Sequence, residues 1–293
     1  MPRMTAPAVI AAKGERKLAM LTAYDYAAAR LAEAAGMDML LVGDSLAMVV
    51  LGHEDTLSVT MEEMLHHVKA VSRGAERALV VADMPFLSYQ VSVADAVANA
   101  GRFLKEGRAG AVKLEGGREV VPQVRAIVAA GIPVLGHVGL TPQHVAALGG
   151  FKVQSKTARA AAKLLDDALA LADAGCFGVV LECIPAPVAA VVTKALPVPT
   201  IGIGAGPDCD GQVLVFHDVL GLYERFQPKF VKQYAALGQL AVEALTRYAD
   251  AVRNSDFPGP EHAFSMDPEA FAAFIALAAE SSAVSDPPDR PNP

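Results

Sequence analysis

Three acidic residues stand at the ends of apolar runs, just before turn residues: Asp44 in 40–45, Asp83 in 78–85 and Glu115 in 111–117. If those runs are successive parallel strands, their carboxylates converge at one rim and can gather a hard divalent cation. Each alone has a plainer reading, capping the following helix or pairing with a buried lysine. Together at adjacent strand ends they would repel one another unless a cation or protons intervened. All-carboxylate ligation points to Mg²⁺, with Mn²⁺ as a substitute, because Zn²⁺ usually recruits Cys or His.

Lys113 lies two residues before Glu115, so on a strand the two side chains share a face. An inward lysine needs a partner, either Glu115 itself or the carboxylate of an anionic substrate. Glu182 closes another apolar run, VVLECIP. Burial there would raise its pKa, which suits a general base; the alternative is a buried structural acid. His137, in GHVGLTP, is the one histidine placed at the same rim, to touch substrate or to make a structural hydrogen bond. His66 and His67 are adjacent and face different directions on a helix, which suits surface or packing roles. The glycines of GIGAG, 202–206, end a further run where barrels often bind phosphate, but they match no complete nucleotide-binding fingerprint.

What must position these groups is an alternation of apolar runs with Ala-rich segments of helical period, the pattern of repeated βα units. Strands are expected at 18–24, 39–44, 78–84, 111–115, 133–138, 178–183, 199–204 and 212–217, the last carrying the weakest signal. Helices are expected at 26–35, 61–73, 93–106, 118–130, 157–174, 187–194 and 229–253. Gly36, Gly107, Gly131 and Gly175 each follow one of these, where a helix wants a left-handed residue. Eight units favour a closed α/β barrel over an open doubly wound sheet, and continuous apolar strands fit a sheet covered on both faces. Residues 1–262 are read as one barrel domain, and 263–293 as an extension with a short helix, 268–280, and a Pro-rich disordered tail.

Composition closes off other classes. With 53% hydrophobic and 19% charged residues among 293, a sizeable core is expected, and some apolar surface is free to lie between subunits. The formal charge of -7 and pI of about 5.5, without a basic block, argue against nucleic acid as a partner. Three cysteines, Cys176, Cys183 and Cys209, with no CxxC pair, suit the reducing cytoplasm and core thiols. The stretch 126–151 lacks Asp, Glu, Lys and Arg, yet two prolines and five glycines break it into a helix end, a strand and a turn instead of a membrane span. No continuous apolar export segment follows the basic residues near the N-terminus.

The runs LTAYDYAAA, LLVGDSLAMVVLGHEDTLSVTMEEM, ADMPFLSYQ, VKLEGG, GHVGLTPQ, VLECIP, IGIGAG, DGQVLVFHDVLG and PKFVKQY, taken together over about 17–262, resemble the ketopantoate hydroxymethyltransferase family. The resemblance implies a (β/α)8 TIM barrel of the phosphoenolpyruvate/pyruvate type. It implies transfer of a hydroxymethyl group from 5,10-methylenetetrahydrofolate to 3-methyl-2-oxobutanoate through a Mg²⁺-stabilised enolate, on the way to pantothenate. On matching positions, Asp44 and Asp83 would hold one Mg²⁺ per subunit, with Glu115 completing its sphere directly or through water. Asp44, Ser45, Asp83 and Lys113 would line the keto-acid site, and Glu182 would accept the proton. A homodecamer is also implied. Ala47 and Ser155 stand where the family usually has glycine. Two other readings are a Mg²⁺-dependent C–C lyase on the same barrel and a non-catalytic barrel subunit.

Overall fold

The computed structural model describes residues 3–222 and 228–283. Eight parallel strands close in sequence order: β1 (Leu18–Thr22), β2 (Met39–Val42), β3 (Leu79–Asp83), β4 (Ala111–Glu115), β5 (Val134–Gly139), β6 (Gly178–Glu182), β7 (Thr200–Ile203) and β8 (Gly211–Leu214). The last pairs with the first, and the Phe216 N–H donates to Thr22 Oγ1 across that seam at 2.9 Å.

Helix α1 (Ala6–Ala11) precedes the barrel. Between the strands run α2 (Tyr26–Ala34), α3 (Leu46–Val49), α4 (Met61–Gly74), α5 (Val93–Lys105), α6 (Val121–Ala129), α7 (Val145–Leu148), α8 (Ala158–Asp173) and α9 (Ala186–Ala195), and α10 (Phe216–Leu220) follows β8. The major helices begin where the sequence offers a cap. Side chains of Asp25, Thr60, Ser92 and Thr157 each accept an N–H from the first turn that follows, and Thr60 with Glu63 completes a capping box.

Strand alternation divides the core in two. Outward residues such as Leu40, Val80, Val112, Val134 and Val179 pack beneath the helices. Inward residues, among them Met20, Met39, Leu79, Val81, Leu135, Val180 and Ile201, fill the barrel itself. Toward the C-terminal rim the same inward rows change character, to Asp83, Lys113, Glu115, His137 and Glu182. The barrel is thus plugged by hydrocarbon below and by charge above.

Several boundaries differ from the sequence reading, two of them by more than a residue or two at the end of the barrel. The eighth strand stops at Leu214 because the chain turns into α10 two residues later. Helix α11 (Leu237–Arg253) begins at 237 instead of 229. The chain at its start is tied back by main-chain bonds: the Tyr234 N–H donates to the Val219 carbonyl, and the Gly238 N–H, in the first turn, donates to the Gly221 carbonyl. Helix α12 (Pro268–Ala283) is the last described element; the expected tail lies outside the described residues. The described residues divide into two compact units between Gly238 and Gln239. The apolar stretch 126–151 folds as the end of α6, β5 and the short turns that follow, and among the described residues no helix is long and apolar enough to cross a membrane.

Candidate active site

Register explains why the charged residues meet. Asp83 on β3 lies directly beside Lys113 on β4, and Glu115 beside His137 on β5. Neighbours in a parallel register point the same way, so each acid is delivered with a basic partner. Lys113 Nζ donates to both oxygens of Asp83, at 2.8 and 2.9 Å, and stands 3.5 Å from Glu115 Oε1. His137 spans the next gap, with Nδ1 3.3 Å from Glu115 Oε1 and Nε2 3.2 Å from Glu182 Oε2.

Asp44 arrives differently. Strand β2 ends at Val42, and Asp44 sits in the turn beyond it, its N–H donating to Asp83 Oδ2 at 3.2 Å. A Cβ at Gly43 would lie 2.9 Å from Ser45 Oγ, so any other residue there would push the serine hydroxyl from its place. The Ser45 hydroxyl is 2.9 Å from the hydroxyl of Tyr24, an aromatic residue buried at the end of β1. Asp44, Ser45, Asp83, Lys113, Glu115, His137 and Glu182 therefore lie along one rim, from the turn after β2 to β6.

The electrostatics are uneven. Burial, then the charges of Asp83 and Glu115, push the Asp44 carboxyl well above its ordinary range, against the weaker pull of Lys113 and the Gln143 hydrogen bond. Burial also raises Asp83, against the pull of Lys113. Glu115 is lowered, because Lys113 and His137 outweigh its burial. Burial lowers His137 and Lys113 opposes its charge, but the two flanking glutamates carry it up to about 9. Lys113 is held well above its ordinary value by the surrounding carboxylates despite its burial.

The premise for Glu182, isolation in an apolar run, gives way to a different setting: its side chain is 17% exposed and faces His137. Two backbone features aim it. Gly139 has φ +103, and a Cβ there would fall 2.2 Å from the Glu182 carbonyl oxygen, so only glycine lets β5 come this close. Cys183 takes φ +48 immediately afterwards, and its carbonyl accepts the Gln154 N–H at 2.8 Å.

Gln143, Tyr89 and Tyr24 escaped the sequence reading. The Gln143 side chain is 2% exposed, and Tyr89 is fully buried. Gln143 is the final residue of GHVGLTPQ, and a polar side chain just past a strand end beside proline was the available signal. The Tyr89 hydroxyl accepts the Glu115 N–H at 3.1 Å and can donate to the Glu115 carbonyl or to Gln143 Oε1. The GIGAG glycines answer to packing: a Cβ on Gly204 would strike the Phe230 ring and one on Gly206 would strike Ala186. His66 is exposed, while His67 Nδ1 lies 2.5 Å from the Tyr24 carbonyl oxygen. All three cysteines are free thiols, and burial pushes Cys176 and Cys183 up to about 12, which leaves them poor nucleophiles.

The donor set suits a hard cation. Among the described residues no three His, Cys, Asp or Glu side chains form a ready-made cage. Mg²⁺ does not require one, since it keeps several waters and is commonly held by one or two carboxylates together with substrate oxygens. Asp44 and Asp83 supply two such carboxylates, and Glu115 Oε1 is a buried oxygen without a well-formed hydrogen bond.

The chain is 69% identical over 264 residues to the 3-methyl-2-oxobutanoate hydroxymethyltransferase of Syntrophobacter fumaroxidans, covering 90% of this chain and 94% of that one. It is 63% identical to the enzyme of the same name from Oleidesulfovibrio alaskensis, covering 90% and 91%. In fold it resembles phosphonopyruvate hydrolase, with a TM-score of 0.57 at 14% identity over 97% of this chain and 99% of that one. It also resembles 2,3-dimethylmalate lyase, a member of the PEP mutase/isocitrate lyase superfamily, with a TM-score of 0.56 at 20% identity over 97% and 99%. The sequence model for ketopantoate hydroxymethyltransferase matches residues 3–260, and the chain belongs to that family.

Proposed function

We propose that this chain is a 3-methyl-2-oxobutanoate hydroxymethyltransferase that takes its one-carbon unit from 5,10-methylenetetrahydrofolate. Keto acid, methylene donor and water are consumed, and 2-dehydropantoate and tetrahydrofolate are released. The observation that carries the reading is the continuous run of contacts from Asp44 through Asp83, Lys113, Glu115 and His137 to Glu182. It sets an acid-rich end and a partly exposed carboxylate on one rim.

Asp44 and Asp83 would hold one Mg²⁺, with Glu115 in its sphere directly or through water. When bound, the ion supplies Lewis-acid withdrawal of charge from the oxygens of an α-keto acid. The Ser45 hydroxyl and the Lys113 ammonium would face the substrate carboxylate and keto oxygen, Lys113 adding positive charge where negative charge develops. Glu182 would take the proton from C3, the one carboxylate of the set with solvent access. His137 limits its rotation from behind. The resulting carbanion equivalent forms the C–C bond to the methylene carbon of the folate; over the reaction both C–N bonds to that carbon break, water supplies the hydroxyl oxygen, and the two nitrogens leave protonated as tetrahydrofolate. A cytoplasmic homodecamer is the accompanying proposal for setting and assembly.

Proton NMR of 3-methyl-2-oxobutanoate in D₂O, with protein and Mg²⁺, tests the proton transfer. Loss of the C3 signal that depends on added metal is expected. A signal that persists, together with no product when folate is supplied, rules the reading out.

A further inference from the structure

The side-chain amide of Gln143 is saturated with hydrogen bonds although it lies almost wholly inside the protein. Its Nε2 donates to Asp44 Oδ2 and to the Met84 carbonyl, both at 2.9 Å. Its Oε1 accepts from the Tyr89 hydroxyl at 2.8 Å and from Gln90 Nε2 at 3.2 Å. Its main-chain N–H donates to Glu115 Oε2 at 3.1 Å. A carbonyl and an ionised carboxylate only accept, so the nitrogen end must face Asp44 and Met84. One residue in the turn after β5 thereby ties together the ends of β2, β3 and β4.

We propose that Gln143 is the positioning residue of the cation site, fixing which oxygen of Asp44 remains free to face the ion. One oxygen on each acid is taken by Gln143, Oδ2 of Asp44 and Oε2 of Glu115. Among the described residues no hydrogen bond is made to Asp44 Oδ1, whereas Glu115 Oε1 faces His137 Nδ1 at 3.3 Å and Lys113 Nζ at 3.5 Å. The free oxygen of Asp44 is thus selected by the Gln143 side chain. An aspartate without such a tether would turn about its terminal torsion, which is soft and roughly two-fold. Hydrogen-bond partners of metal ligands are worth about 10- to 100-fold in metal affinity for this reason.

The inference rests on the reading of Asp44 and Asp83 as cation ligands, and one titration separates the two. Mn²⁺ is added to the full-length protein and free Mn²⁺ is followed by electron paramagnetic resonance, with melting by circular dichroism in parallel. Wild type is expected to bind Mn²⁺. Gln143→Met, which fills the space and keeps the backbone bond to Glu115, is expected to bind about 10- to 100-fold more weakly while still melting cooperatively. Absence of binding by wild type overturns the cation site itself. Equal affinity in wild type and folded Gln143→Met leaves the site standing and overturns the role of Gln143. If Gln143→Met does not fold, Tyr89→Phe removes the hydroxyl that holds Oε1 and leaves every charge in place. Its Mn²⁺ affinity must then fall several-fold, and an unchanged value overturns the proposal.

Discussion

At the scale of single residues, the site is a chain of acids and bases in which each group fixes the next. His137 stands between two carboxylates, and its pKa near 9 lies above the ordinary 6.5. A raised folded-state value means that protonation favours the folded chain: the contribution is complete below about pH 6.5 and is lost as the pH rises through about 9. Metal-free wild type and His137→Asn should therefore differ most in melting temperature at acid to neutral pH and converge in alkali. A gap independent of pH would show that His137 acts by packing alone. Glu182→Gln is expected to slow turnover by about 10² to 10⁴, the range for a positioned base, and to leave melting nearly unchanged. An unaltered kcat would remove Glu182 from proton transfer.

At the scale of elements, parallel register brings Asp83 to Lys113 and Glu115 to His137, while turns do the finer aiming. The loop before α8 carries an unexpected strain. Ser155, a non-glycine residue, keeps a left-handed φ of +57. A serine pays about 1 kcal/mol for that conformation, partly offset by the freedom a glycine would lose. Ser155→Gly should raise stability by about 0.5 kcal/mol or leave it level, read as the urea midpoint; a clear loss would mean that the hydroxyl has a stabilising partner. Ala47 poses no such problem. It lies in α3, is buried and is absent from the positive-φ positions, so its methyl sits where an ordinary helical residue can.

At the scale of the whole molecule, one chain leaves apolar surface uncovered. Helix α11 buries none of its residues and shows Leu240, Val242, Leu245, Tyr248 and Val252. Such a stripe fits the proposed assembly of several copies. Helix α12 lies beyond the span matched by the family model, and it too exposes large side chains, Phe271, Phe274, Ile275 and Leu277. A chain ending at His262 should keep its keto-acid exchange rate within about twofold, because the rim residues named above, Tyr24 to Glu182, all precede that point. A large drop in exchange would give the extension a part in the site.

Sequence by itself determined the barrel, because period, glycine punctuation and continuous apolar strands are local properties that the closed sheet only has to join. It also named Asp44, Asp83, Lys113, Glu115, His137 and Glu182, since charge at the end of an apolar run is conspicuous. Tertiary structure alone decided which of these groups pair, for the pairing depends on strand register and not on distance along the chain. Lys113 meets Asp83, 30 residues away, more closely than Glu115, two residues away. Gln143 was hidden for the same reason: a neutral amide has no conspicuous signature until folding surrounds it with acceptors from three strand ends.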